Sequence, residues 1–220
     1  MPPPKPEREA VMIGMIGAFN PSIFQPRWLG VQGLIRPEEA DGAQINTIRT
    51  ELADFETEWC RFEVLQDRFN ITTEDPRQYG PLRDLAIGIF TILPHTPIQR
   101  FGVTRIYHFR ADSLEQWHAF GHTLAPKACW DSILEKPGLR SMQMWGSRKG
   151  SERGAVSIKI EPSLVVVPGV YVEVTEEYRG FGPEQVAAKF VPTILSGNWD
   201  DILNYSDAVV ANLFALVNTP

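Results

Sequence analysis

A chain of 220 residues, 43% apolar and 22% charged, has the mixture of an ordinary folded protein and excludes a disordered or fibrous one. It is long enough for one large domain or two half-sized lobes sharing a core. A formal net charge of −6 and a pI near 5.3 set up a field that repels nucleic-acid phosphates and anionic lipid, so no general nucleic-acid binding is expected.

The opening MPPPKPEREA lacks the basic region and apolar run of a secretory signal. No stretch approaches the roughly 18 apolar residues that span a bilayer. The chain therefore reads as cytoplasmic, with no membrane partner. Its two cysteines, Cys60 and Cys129, are far apart and lack CxxC spacing, which points to free thiols and away from disulfides or a cysteine-based zinc site.

Residues 1–9 read as a proline-rich flexible lead-in. AVMIGMIGAF, from Ala10 to Phe19, then reads as a buried strand interrupted by Gly14 and Gly17. Prolines 21, 26 and 37 predict an ordered loop without long regular elements, pinned by Phe24, Trp28 and Leu29. The stretch 43–52 suits either strand or helix and leans toward strand. Next, Cys60, Phe62 and Val64 alternate with Arg61 and Glu63, the period of a half-buried strand, and the run around Asp67 turns into its hairpin partner. In PLRDLAIGIFTIL, the residues Leu82, Leu85, Ala86, Ile89, Phe90 and Leu93 follow the stripe of an amphipathic helix. Pro81 suits its first turn, and Pro94 and Pro97 end it.

The period then returns to two, with Val103, Arg105, Tyr107 and Phe109 alternating with Thr104, Ile106 and His108. A short helix over 113–124 is capped by Asp112 or Ser113. Strands at hairpin spacing follow over 139–145, 156–160 and 170–174. A helix start in GPEQVAAKF precedes a long helix with the stripe Ile202, Tyr205, Val209, Leu213 and Leu216, for which Asn198 is the expected N-cap. Strand groups that each precede a helix predict an α+β fold: mostly antiparallel sheet backed by two long helices. The expected organisation is a single domain over 10–220, with possible related lobes 10–97 and 98–220.

The segments FNPSIFQPRWL, PLRDLAIGIFTIL, HTPIQRFGVTRIYHF and WHAFGHTLAPKACW together resemble a sporadically distributed family of uncharacterised bacterial or prophage-borne proteins. The resemblance spans most of the chain. It implies a bacterial or mobile-element origin and carries over no functional residue.

All four histidines lie between residues 95 and 122. His118 and His122 are one helical turn apart and project from one face, the geometry that lets two imidazoles share a zinc ion. His108 on the preceding strand is the candidate third ligand, with Cys129 or a carboxylate as fourth. HExxH is absent, since Ala119, Phe120 and Gly121 separate the pair, and both histidines also suit the edge of a core. His95, between Pro94 and Pro97, sits in a stiffened connection that can place a polar contact. Arg148, Lys149 and Arg153 in GSRKGSERG form a candidate loop contact for a phosphate or acidic partner, or else a solvated hairpin. Phosphate-loop, dinucleotide, serine-elbow and calcium-loop motifs are absent, and no cofactor other than zinc is suggested.

Two functions remain. One is a non-enzymatic interaction protein, a subunit or adaptor in a bacterial or phage-related assembly that binds a protein partner or itself. Aromatics in loop segments (Phe19, Phe24, Trp28, Trp130, Phe181) suit it as interface anchors, or else plug the ends of the core. The other is a zinc-dependent hydrolase or metal-binding protein built on His108, His118 and His122.

Overall fold

A computed structural model describes residues 5–148, 154–178 and 188–217. Its frame is an α+β fold in which one nine-stranded antiparallel sheet carries two long helices. The strands are β1 (Arg8–Gly17), β2 (Gln44–Ile48), β3 (Leu52–Glu56), β4 (Arg61–Leu65), β5 (Arg68–Thr73), β6 (Ile98–Arg110), β7 (Met142–Ser147), β8 (Ala155–Pro162) and β9 (Gly169–Tyr178), in the order β2-β3-β4-β5-β1-β6-β9-β8-β7. The helices are α1 (Pro26–Val31), α2 (Pro37–Asp41), α3 (Tyr79–Ile92), α4 (Leu114–Leu124) and α5 (Val191–Val217). Among the described residues no helix is long and apolar enough to cross a membrane.

The order mirrors itself about the central β1–β6 pair. Each half opens with a central strand, runs out to an edge, returns by hairpins to lie beside that strand, and then sends a long helix over the sheet. Hairpin return is the cheap way to build such a sheet, because neighbours in sequence become neighbours in space. β1 begins at Arg8, two residues inside the expected lead-in.

Alternation decides which residues face the helices. Val11, Ile13 and Met15 of β1 are buried, as are Phe101, Val103 and Phe109 of β6 and Val172 and Val174 of β9. α3 lies against β1 and β5, α5 lies against β6 and β9, and the two helices pack on each other. The outer strands add an aromatic column: Phe55 and Phe62 stack at 4.6 Å, and Phe69 meets Phe90 of α3 edge-on at 5.1 Å. The opposite face of the sheet carries the alternate, mostly polar residues, and among the described residues no helix lies over it.

The expected loop over 20–42 contains α1, α2 and a 3-10 turn. The prolines that read as breakers start these elements: Pro26 and Pro37 occupy first-turn positions, where a missing N–H costs nothing. Phe24 and Leu29 are buried, as expected of pins, and Trp28 packs partly buried against them. At Gly17 the chain passes so close to the α3–β6 connection that a Cβ would sit 2.1 Å from the Pro97 carbonyl oxygen.

The helix start expected in GPEQVAAKF lies outside the described residues up to position 187, and a 3-10 turn covers Ala188–Phe190. α5 begins at Val191, so Asn198 is not its N-cap. Asn198 lies about two turns inside, and its side-chain amide donates to the Ile194 carbonyl at 3.1 Å. The strand expected from 139 begins at Met142.

A charged cluster ties the layers together. Arg105, on the core-facing side of β6 and 5% exposed, donates to Glu9 of β1 at 2.9 Å, to Asp207 of α5 at 3.3 Å and to the Tyr107 hydroxyl at 3.1 Å. Tyr107 in turn donates to Asp207 at 2.6 Å, and the guanidinium lies 4.8 Å from the Tyr79 ring of α3. Arg105→Ala leaves these carboxylates and Tyr107 without their cation, so urea unfolding should show a loss of about 3 kcal/mol, the low end for a broken buried pair because Asp207 stays hydrated. Arg8→Ala, which breaks the exposed pair with Glu74, should lose a small fraction of that.

Candidate functional site

α4 lies in the connection from the end of β6 to the edge strand β7, and its start is well specified. The Ser113 hydroxyl accepts from the Gln116 backbone N–H at 3.1 Å while the Gln116 side chain accepts from the Asp112 N–H at 2.7 Å. Trp117 donates its indole N–H to the Gly169 carbonyl at 2.9 Å, and Phe120 packs on Phe214 of α5 at 5.2 Å. These contacts fasten one side of α4 and leave the rest of it exposed.

Between α4, the segment 127–139 and the adjoining ends of β8 and β9 lies a groove of about 630 Å³. Trp117, Phe120, Leu139, Ile160 and Val170 give it an apolar floor, and its rim mixes Glu115, Lys127, Asp131, Lys136 and Glu161. Glu115 is held below the ordinary carboxylate range by backbone and Ser113 hydrogen bonds at the helix start, and Glu161 by hydrogen bonds from Ser141 and Lys159. Beside the groove, exposed apolar side chains crowd together in sequence: Trp130, Ile133 at 69% exposure and Leu134. The loop joining β8 to β9 adds Leu164, 92% exposed, with Val165 and Val167. Gly169 closes that loop where no side chain fits, since a Cβ would meet the Val166 carbonyl oxygen at 2.3 Å.

The histidines do not converge. His118 and His122 share a face of α4, with ring centroids 6.4 Å apart, and both line the groove. His108 has the strand parity opposite to Tyr107 and Phe109, which pack with Phe120, so it lies on the other face of the sheet. There its Nδ1 shares a 2.9 Å hydrogen bond with the Ser163 hydroxyl. Cys129 is exposed and directs its thiol to the Pro126 carbonyl. Among the described residues no group of three or more His, Cys, Asp or Glu could hold a metal ion. Cys60 is buried, and burial pushes its thiol well up.

His95 is exposed in the α3–β6 connection, beside a separate hollow bounded by Phe19, Ile23 and Phe24. Arg148 is engaged within the protein: it makes a two-pronged bond to Asp201 of α5 at 2.6 and 2.9 Å, reaches Glu176 at 3.2 Å and lies over the Tyr205 ring. Lys149 and Arg153 fall outside the described residues. Of the loop aromatics, Phe19 and Phe24 plug the core, Trp28 packs on it, Trp130 faces solvent, and Phe181 lies outside the described residues. The groove and the Arg105 cluster escaped sequence reading. The one available signal for the cluster was a charge at Arg105 on the apolar parity of its strand.

No protein-family model matches the chain, and comparison with curated proteins finds no match.

Burial, with the Arg8 guanidinium nearby, lowers the pKa of His108 below its ordinary 6.5. Between the lowered folded value and 6.5 the unfolded chain binds more protons, so the His108 contribution is complete above pH 6.5 and is lost as pH falls below it. His108→Asn should therefore flatten the dependence of urea-unfolding stability on pH just below 6.5. An unchanged slope in that window would contradict the assignment.

Proposed function

We propose that the chain is a non-enzymatic interaction protein, a subunit or adaptor that grips a protein partner through the α4 groove. The observation that carries this reading is the run of exposed Trp130, Ile133 and Leu134 beside an apolar hollow of about 630 Å³. Exposed apolar side chains around a concave apolar floor are what a partner's anchoring residue requires, and a rim of both charge signs supplies register. The charged groups a catalyst would use support the same reading. Arg105 and Arg148 are held in internal ion pairs, and His118 and His122 gain neither His108 nor Cys129 as a companion. The bacterial or phage-related setting rests on the family resemblance alone.

The test is affinity capture from an extract of the source cells, run in parallel with wild type and with the double variant Ile133→Asp, Leu134→Asp. Both positions are exposed, so the melting temperature should hold. The reading predicts a species retained by wild type, depleted at least tenfold with the variant, and cross-linked to Lys127 or Lys136 on the rim. Equal retention by both proteins, or cross-links confined to the opposite face of the sheet, would overturn it.

A further inference from the structure

The face of the sheet opposite α3 and α5 holds a second feature, independent of the groove. Ile16 of β1 is paired on one side with Arg68 of β5 and on the other with Arg100 of β6. Residues directly opposite on antiparallel strands share a face, so the two arginines stand on the same side of the sheet, about 10 Å apart between Cα atoms across two strand spacings. Both are exposed, and neither makes a hydrogen bond, ion pair or ring contact among the described residues. Arg8, Arg61, Arg77, Arg83, Arg105 and Arg110, by contrast, all have carboxylate partners.

One row further along, Gly14 pairs with Gly102, so at the centre of the sheet two adjacent strands carry no side chain of their own, with Gly14 half-buried and Gly102 buried beside their neighbours' side chains. Asn70 and Glu177 flank this row. The result is a trough of about 280 Å³, with Arg68 and Arg100 at one end and Glu173 and Glu177 on β9. The space directly above each glycine is taken by a neighbour: a Cβ at Gly14 would lie 3.1 Å from the Asn70 Oδ1, and one at Gly102 3.3 Å from the Thr175 methyl.

We propose that this trough binds a phosphate monoester. Two unneutralised guanidinium groups match a dianion: a carboxylate neutralises only one of them, whereas a phosphate offers three oxygens to two forked donors. The trough runs on past the arginines to Asn70, whose Oδ1 lies over Gly14 and can accept a hydrogen bond from the organic group of the ester. Glu173 and Glu177 set the limit on the ligand: a second phosphate on that side is repelled, so the body is uncharged or cationic. A nucleic-acid strand fails the same criterion, in keeping with the net charge of the chain.

Phenyl phosphate titrated into the full chain, followed by amide NMR, tests the site. Shifts should concentrate at the Gly14 and Gly102 amides. Arg68→Ala and Arg100→Ala should each weaken binding at least tenfold without moving the melting temperature, and benzoate should bind at least tenfold more weakly than phenyl phosphate. Shifts scattered over the surface, unchanged affinity in the double arginine variant, or benzoate binding as well as phenyl phosphate would overturn the proposal. Inorganic phosphate binding as tightly as phenyl phosphate would overturn the monoester assignment, leaving a site for the free ion.

Discussion

The burial of Arg105 is the constraint on which the rest of the architecture leans. A guanidinium at 5% exposure is tolerable only with its charge and donors satisfied, and the partners come from four directions: Glu9 of β1, Tyr107 of its own strand, Asp207 of α5 and the Tyr79 ring of α3. Each long helix therefore has a polar reason to sit over the β1–β6 pair as well as an apolar one. Apolar contact supplies most of the stabilisation but tolerates sliding, whereas a fork-shaped cation admits few placements. Arg148 repeats the device toward the edge, fixing the end of β7 to β9 through Glu176 and to α5 through Asp201.

This division of labour separates the rigid from the available parts of the surface. The helix-covered face at the centre of the sheet is densely packed, and the charge of its buried Arg105 is fully paired. α4 and the segment after it are attached through Trp117 and Phe120 and otherwise exposed, with large apolar groups in solvent. A scaffold of the first kind carrying a patch of the second kind is a common arrangement for recognition, because the frame keeps the patch in place while its side chains adjust to a partner. The groove and the arginine trough lie on opposite faces of the same sheet, so occupancy of one does not sterically exclude the other.

Elements with strong periodicity were legible in the sequence. The stripe of α3 and the alternation around Phe62 and Val64 appear in the structure at nearly the expected bounds. Short elements were hidden by the double meaning of proline, which ends a helix from inside and opens one from its first turn, as Pro26 and Pro37 do here. The same ambiguity misplaced the start of α5, where Asn198 with Asp200 and Asp201 imitates a cap and Pro192 sits in the true first turn. At the site, the parity that sets His108 against Tyr107 and Phe109 was readable, but the face on which α4 would land was not. That depends on Phe120 meeting Phe214, some ninety positions away. Arg105 stood out as a charge among core positions, yet its carboxylate partners are 96 and 102 residues distant and leave no local trace.

A closed β1–β6–β9 frame bearing a loosely held α4 surface should separate into slow and fast parts in native-state amide hydrogen exchange. The slowest exchange is expected in 8–17, 98–110 and 169–178, with exchange at least a hundredfold faster over 114–139 that slows when a partner binds. Equally slow exchange over 114–139 in the free protein, or rapid exchange at the centre of β6, would contradict it.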